Sequence, residues 1–129
     1  SDYFDRGLVR IYRLDLEQGS WIQKGADILP DEGSFDGWGA FGDGRSLSLS
    51  SDGKTIAVAA PGMAFNSVHI GLVRVFRFTG TDWSKGGSTI AGEKGYGDNT
   101  ENGTGLVSLS SDGGRLVVGA PLHHRDTPS

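Results

Sequence analysis

Residues 48–61 read Ser-Leu-Ser-Ser-Asp-Gly-Lys-Thr-Ile-Ala-Val-Ala-Ala-Pro, and residues 108–121 read Ser-Leu-Ser-Ser-Asp-Gly-Gly-Arg-Leu-Val-Val-Gly-Ala-Pro. The two stretches align without a gap, 60 residues apart. An aligned copy at that separation marks a repeat architecture. In the first copy Leu47 and Leu49 alternate with Ser46, Ser48 and Ser50, the period of a strand with one apolar face. Ser51-Asp52-Gly53 supplies turn chemistry, since Asp hydrogen-bonds nearby backbone and Gly accepts positive φ. Ile56, Val58 and Ala60 resume the alternation, and Pro61 cannot donate to a ladder, so it ends the strand. The unit is a tight β-hairpin. Its copy follows suit with Val107 and Leu109, Asp112-Gly113, Leu116 and Val118, and Pro121.

Outward from the hairpins the repetition continues. Gly7-Leu8-Val9-Arg10-Ile11-Tyr12-Arg13-Leu14 returns as Gly71-Leu72-Val73-Arg74-Val75-Phe76-Arg77-Phe78, 64 residues on. Val9 and Ile11 face one way and Leu8, Tyr12 and Leu14 the other, so burial on both faces is expected, as in stacked sheets. Trp21 returns as Trp83, and Gly25-Ala26-Asp27-Ile28 as Gly87-Ser88-Thr89-Ile90, both at 62. The more polar strand 21–28 suits a sheet edge. The offset shrinks only in connections, where length is cheap to change.

Four strands in about sixty residues match one blade of a β-propeller. With the serine hairpin as strands A and B, the chain reads C-D, A-B-C-D, A-B. The expectation is an all-β protein of propeller-type repeats, about two four-stranded blade equivalents, with no helix. Residues 1–129 form one partial propeller domain, with repeat units at approximately 7–61 and 71–121. Propellers close with roughly four to eight blades. The chain is therefore expected to be a fragment of a larger ring, completed by the remaining blades of a longer chain, or else to self-assemble. The abrupt ends favour the fragment.

Composition narrows the function. Glycine is abundant, 22 of 129, and falls at turn positions between apolar runs. The net charge of −4, with no clustered basic face, argues against nucleic acid as a partner. There are no cysteines, which removes disulfides, thiolate metal sites and cysteine nucleophiles. No apolar run approaches the ~20 residues of a membrane span.

The pattern resembles the FG-GAP repeats of integrin-α-type β-propellers, whose label rests on Phe-Gly before strand A and Gly-Ala-Pro after strand B. The first copy has Phe41-Gly42 and Ala59-Ala60-Pro61; the second has Gly119-Ala120-Pro121, with Gly103-Thr104-Gly105 in place of Phe-Gly. The family's next strand, Gly-x-Val-x-Val-Phe, is similar to residues 71–76 and 7–12. The resemblance covers residues 7–121 and implies a non-enzymatic extracellular or cell-surface binding or adhesion module. Many such blades hold calcium between strands A and B. Here that connection offers only Asp52 or Asp112, against the about six to eight oxygens calcium takes, so the site is not carried over. No metal, cofactor or catalytic residue is expected.

A protein or glycan ligand is expected to meet the unlike loops, residues 30–45, 62–70, 92–105 and 122–129. Phe35, Trp38 and Phe41 have no counterpart in the second unit, and they join His69 and His123 as the ligand-contact candidates. Burial within the blade competes with that role for the aromatics, and simple solvation for the histidines. Asn102-Gly103-Thr104 fits the glycosylation sequon and agrees with an extracellular setting. The alternatives are a propeller-type polysaccharide hydrolase or lyase using Asp36, Asp43, Asp98 and Glu101, and a purely structural repeat spacer.

Overall fold

A computed structural model describes residues 7–29, 47–60, 64–65, 68–69, 72–91 and 106–119. Among these the protein is all β and antiparallel, without a helix, so no helix there is long and apolar enough to cross a membrane. The strands are β1 (Tyr12–Asp15), β2 (Ser20–Gln23), β3 (Leu47–Leu49), β4 (Thr55–Ala60), β5 (Ala64–Phe65), β6 (Val68–His69), β7 (Leu72–Phe78), β8 (Trp83–Lys85), β9 (Ile90–Ala91), β10 (Leu106–Leu109) and β11 (Leu116–Gly119).

The central sheet runs β3-β4-β7-β8, with β9 continuing β8 along the same edge of β7. The four strands follow one another as a meander, with the short hairpin β5-β6 inserted between β4 and β7. Strands β1 and β2 form a separate pair, prolonged by the bridge Val9↔Ile28, and β10 and β11 form another. The grouping is thus two, four and two strands, in the order C-D, A-B-C-D, A-B expected from the repeat. The connection 62–70, expected to be a loop, contains the short hairpin β5-β6.

Packing follows from the alternation. Ile56 and Val58 of β4 share a face with Leu72 and Phe76 of β7 through the pairings Ile56↔Phe76 and Ala60↔Leu72. Onto that face pack Val9, Ile11 and Ile28, and all three are buried. Trp83 and Phe76 close the edge of this cluster. On the opposite face Ala57, Ala59 and Val73 are fully buried. There β10 packs across β3 and β4, and the Leu109 amide donates to Ser48 Oγ at 2.9 Å. The central sheet is therefore the middle of three layers.

One expectation needs correction. Residues 7–14 are not covered on both faces: Val9 and Ile11 are buried, but Leu8, Tyr12 and Leu14 are exposed. Val9 and Ile11 meet the central sheet, and among the described residues no layer lies beyond the other side. The strands expected over 7–14 and 21–28 are also interrupted. Between Tyr12↔Gln23 and Val9↔Ile28, Arg10 and Ile11 face the four residues from Lys24 to Asp27. The copy has the same two-residue bulge, with Arg74 and Val75 facing Gly86 to Thr89. Each bulge is pinned by a matching amide bond, Lys24 N to Ile11 O and Gly86 N to Val75 O, both 2.7 Å.

Leu72 is 2% exposed and Val117 70% exposed, so they separate core from surface. Leu72→Ala is expected to lower the unfolding free energy by about 2–5 kcal/mol, and Val117→Ala to change it by less than about 0.5 kcal/mol. Equal losses in urea titrations of the two variants would contradict this layering.

Candidate functional site

The serine hairpins carry a closed hydrogen-bond circuit. Asp52 Oδ1 accepts from Lys54 N at 2.9 Å and from Ser50 Oγ at 2.8 Å, while Ser50 Oγ accepts from Thr55 N at 3.0 Å. The copy repeats every bond: Gly114 N and Ser110 Oγ donate to Asp112 Oδ1, and Arg115 N donates to Ser110 Oγ. Gly53 and Gly113 adopt φ of 70° and 73°, as the turn requires. These aspartates are committed to holding their turns. The two equivalent turns also touch, since Ser51 N and Oγ both donate to Ser111 O at 3.0 Å.

A second seam joins β1-β2 to the central sheet. Trp83 Nε1 donates to Lys24 O at 2.7 Å, and Ala26 N donates to Asp82 Oδ1 at 2.9 Å. Lys24 Nζ donates to Gly53 O at 2.8 Å and lies 4.6 Å from the Phe78 ring centre, a cation–π distance. Phe78 and Trp83 form a tilted aromatic pair, centroids 5.2 Å apart. Gly25, at φ 76°, passes so close that a Cβ there would stand 2.7 Å from Trp83 Cδ1. Lys24 and Asp82 were not singled out from sequence, because their equivalents are Gly86 and Ser20 and no repeat marks them.

Trp21 does not share the role of Trp83. Although Trp83 is its copy, Trp21 is 67% exposed. Its register is the same, Leu14↔Trp21 matching Phe78↔Trp83, but among the described residues nothing equivalent to Lys24–Ala26 lies over it. With Tyr12 and Leu14 it forms an exposed apolar face on β1-β2.

The arginine at each bulge is a further matched feature. Arg10 Nε and NH2 bond Asp27 at 2.7 and 3.1 Å, and Arg74 Nε donates to Thr89 Oγ1 at 3.4 Å. Gln23 also donates to Asp27. The signal was present in the sequence as Arg10 and Arg74 in equivalent strands.

Of the ligand-contact candidates, Phe35, Trp38, Phe41 and His123 lie outside the described residues, as do Asn102 and the acidic set Asp36, Asp43, Asp98 and Glu101. His69 belongs to β6, opposite Ala64. What can be placed is the end of the stack from which their segments leave. Ala60, Leu72 and Ala91 are neighbours across β4, β7 and β9, and Gly119 pairs with Leu106. The long connections 30–46, 61–71 and 92–105 and the segment after 119 all join strands at this end. The short turns at Asp52, Asp112 and Thr79–Asp82 occupy the other end. Among the described residues no group of three His, Cys, Asp or Glu side chains is gathered to hold a metal ion. No family model, curated protein or solved structure matches the chain.

Several carboxylates sit below their usual pKa. Bonds from Lys54 N and Ser50 lower Asp52, and bonds from Ser110 and Gly114 N lower Asp112. Asp82 is lowered by Ala26 N and Trp83 N, and Asp27 by Arg10 and Gln23. Each depressed group adds stability that is complete above its unfolded pKa and is lost as pH falls through its folded value. The urea midpoint is therefore expected to hold from neutral pH down to about 4 and to fall below it. Asp52→Ala with Asp112→Ala should flatten that acid limb; an unchanged limb would remove the turns from the account.

Glycine substitutions separate strain from collision. At Gly87, φ 79°, a Cβ meets nothing within 4 Å, whereas at Gly25 it meets Trp83. Gly87→Ala should cost about 1–2 kcal/mol from the left-handed backbone alone. Gly25→Ala should cost more in the same denaturation experiment, because the indole must also move.

Proposed function

We propose that this protein is a propeller-type repeat module of the FG-GAP kind and serves as a non-enzymatic binding module at the cell surface or outside the cell. The observation that carries this reading is the asymmetry of the stack. Short turns occupy one end, those at Asp52 and Asp112 being of one design, and the long connections of unlike sequence leave the other. A scaffold that repeats its strands and varies one set of connections has the organisation of a rigid support for variable contacts. Stacked antiparallel sheets in C-D, A-B-C-D, A-B order support the propeller part of the reading, since each blade of such a ring is a four-stranded meander.

The contact surface in this reading is built from Phe35, Trp38 and Phe41 with His69 and His123, and the ligand is a protein or a glycan. Aromatic rings offer both of these a flat apolar face with little entropy to lose. Asn102 is the glycosylation position.

A panel of immobilised glycans and surface proteins, screened with the purified chain, tests the reading. Trp38→Ala should weaken any hit at least tenfold while leaving the thermal midpoint nearly unchanged. Hits that ignore Trp38 and swaps of the unlike connections would favour a structural spacer. Degradation of a polysaccharide that depends on Asp36, Asp43, Asp98 or Glu101 would overturn the non-enzymatic assignment.

A further inference from the structure

The two ends of the repeat are complementary halves of one sheet. Strands β10 and β11 are an A-B pair, and among the described residues β11 pairs only with β10. Strands β1 and β2 are a C-D pair, and β1 pairs only with β2 among them. The central sheet shows how such halves join, through the antiparallel register of β4 on β7. Within one chain the two pairs lie on opposite faces of the central sheet, so they do not meet.

We propose that this chain assembles head to tail, with β1 of a second copy adding to the edge of β11. Transferring the β4-β7 register by the repeat offsets gives Leu116 opposite Tyr12, Val117 opposite Ile11, Val118 opposite Arg10 and Gly119 opposite Val9. These stand for the observed pairs Ile56↔Phe76, Ala57↔Val75, Val58↔Arg74 and Ala59↔Val73. These four pairs agree in character with their templates. The inference rests on the internal repeat geometry and not on the binding role proposed above.

The same placement resolves a second, independent feature. It brings the exposed Trp21 of the added copy to Gly86-Gly87-Ser88 of the first, as Trp83 meets Lys24-Gly25-Ala26 within the chain. Gly87 already has the φ of Gly25, 79° against 76°, and has open space where Gly25 has an indole. Trp21 Nε1 then donates to Gly86 O, and Ser20 stands where Asp82 accepts from Ala26 N. An unused socket and an unused indole, each a copy of an occupied one, thus meet in one junction. One pair opposes it: Arg115 falls opposite Arg13, where the central sheet has Thr55↔Arg77, and like charges directly opposite destabilise a ladder.

Every copy in such an array has complete four-stranded sheets, two per chain. A closed ring of about four to eight sheets takes about two to four copies, and an array that fails to close grows into a filament.

The test uses the full chain, whose lack of cysteine makes cross-linking clean. Phe78 N donates to Lys54 O at 2.8 Å, so Thr55↔Arg77 is a non-hydrogen-bonded pair and so is its equivalent, Arg115 opposite Arg13. Mixed R13C and R115C chains should form a disulfide-linked dimer on mild oxidation, and neither variant alone should do so to a similar extent. Pairing R115C with L14C, one residue out of register, should abolish it. In light scattering the unmodified chain should exceed monomer mass, Gly87→Ala should return it to a folded monomer, and Arg115→Thr should tighten association about two- to fivefold. A wild-type monomer at every concentration that is unchanged by Arg115→Thr overturns the proposal. So does a cross-link indifferent to register.

Discussion

The structure depends on the burial of both faces of the central sheet by its neighbours. A four-stranded sheet whose strands are apolar on both sides cannot leave either side in water, and each face here is closed by a different layer. Val9, Ile11 and Ile28 cover Ile56 and Val58 on one side, and β10 packs over the side of Ala57 and Ala59. Small side chains on the second face let β10 come close enough for Leu109 N to donate to the Ser48 hydroxyl. Neither outer pair is self-sufficient, since a two-stranded pair alone is marginal in water.

Specific contacts align the layers once the apolar faces have brought them together. Hydrophobic burial has no direction, so it does not by itself set how far one sheet slides over the next. The seam at Lys24–Ala26 supplies that alignment with an indole donor, a carboxylate acceptor and a glycine too tight to carry a side chain. The paired turns at Ser51 and Ser111 do the same on the other side. Rigid stacking matters to a binding role, because loops hold a contact surface only as well as the strands beneath them are fixed.

Much of this was legible in the sequence. The hairpins, their Asp-Gly turns and the strand order follow from periodicity and from the copied residues. Gly25 and Gly87, and Trp21 and Trp83, were visible as repeats. What was not legible is their unequal fate, since Lys24 and Asp82 have no copies and, among the described residues, no layer covers the indole at Trp21.

The sequence by itself determined local form: alternation sets which residues share a face, Ser-Ser-Asp-Gly sets where the chain reverses, and the copy sets the order of strands. Only the tertiary structure decided which faces are covered. It showed Val9 and Ile11 buried, with Tyr12, Leu14 and Trp21 left in water. It also put a two-residue bulge where an unbroken strand was expected. The physical reason is that a period of two is a property of one strand, whereas burial and bulging depend on what lies across from it, and that partner is distant in the chain.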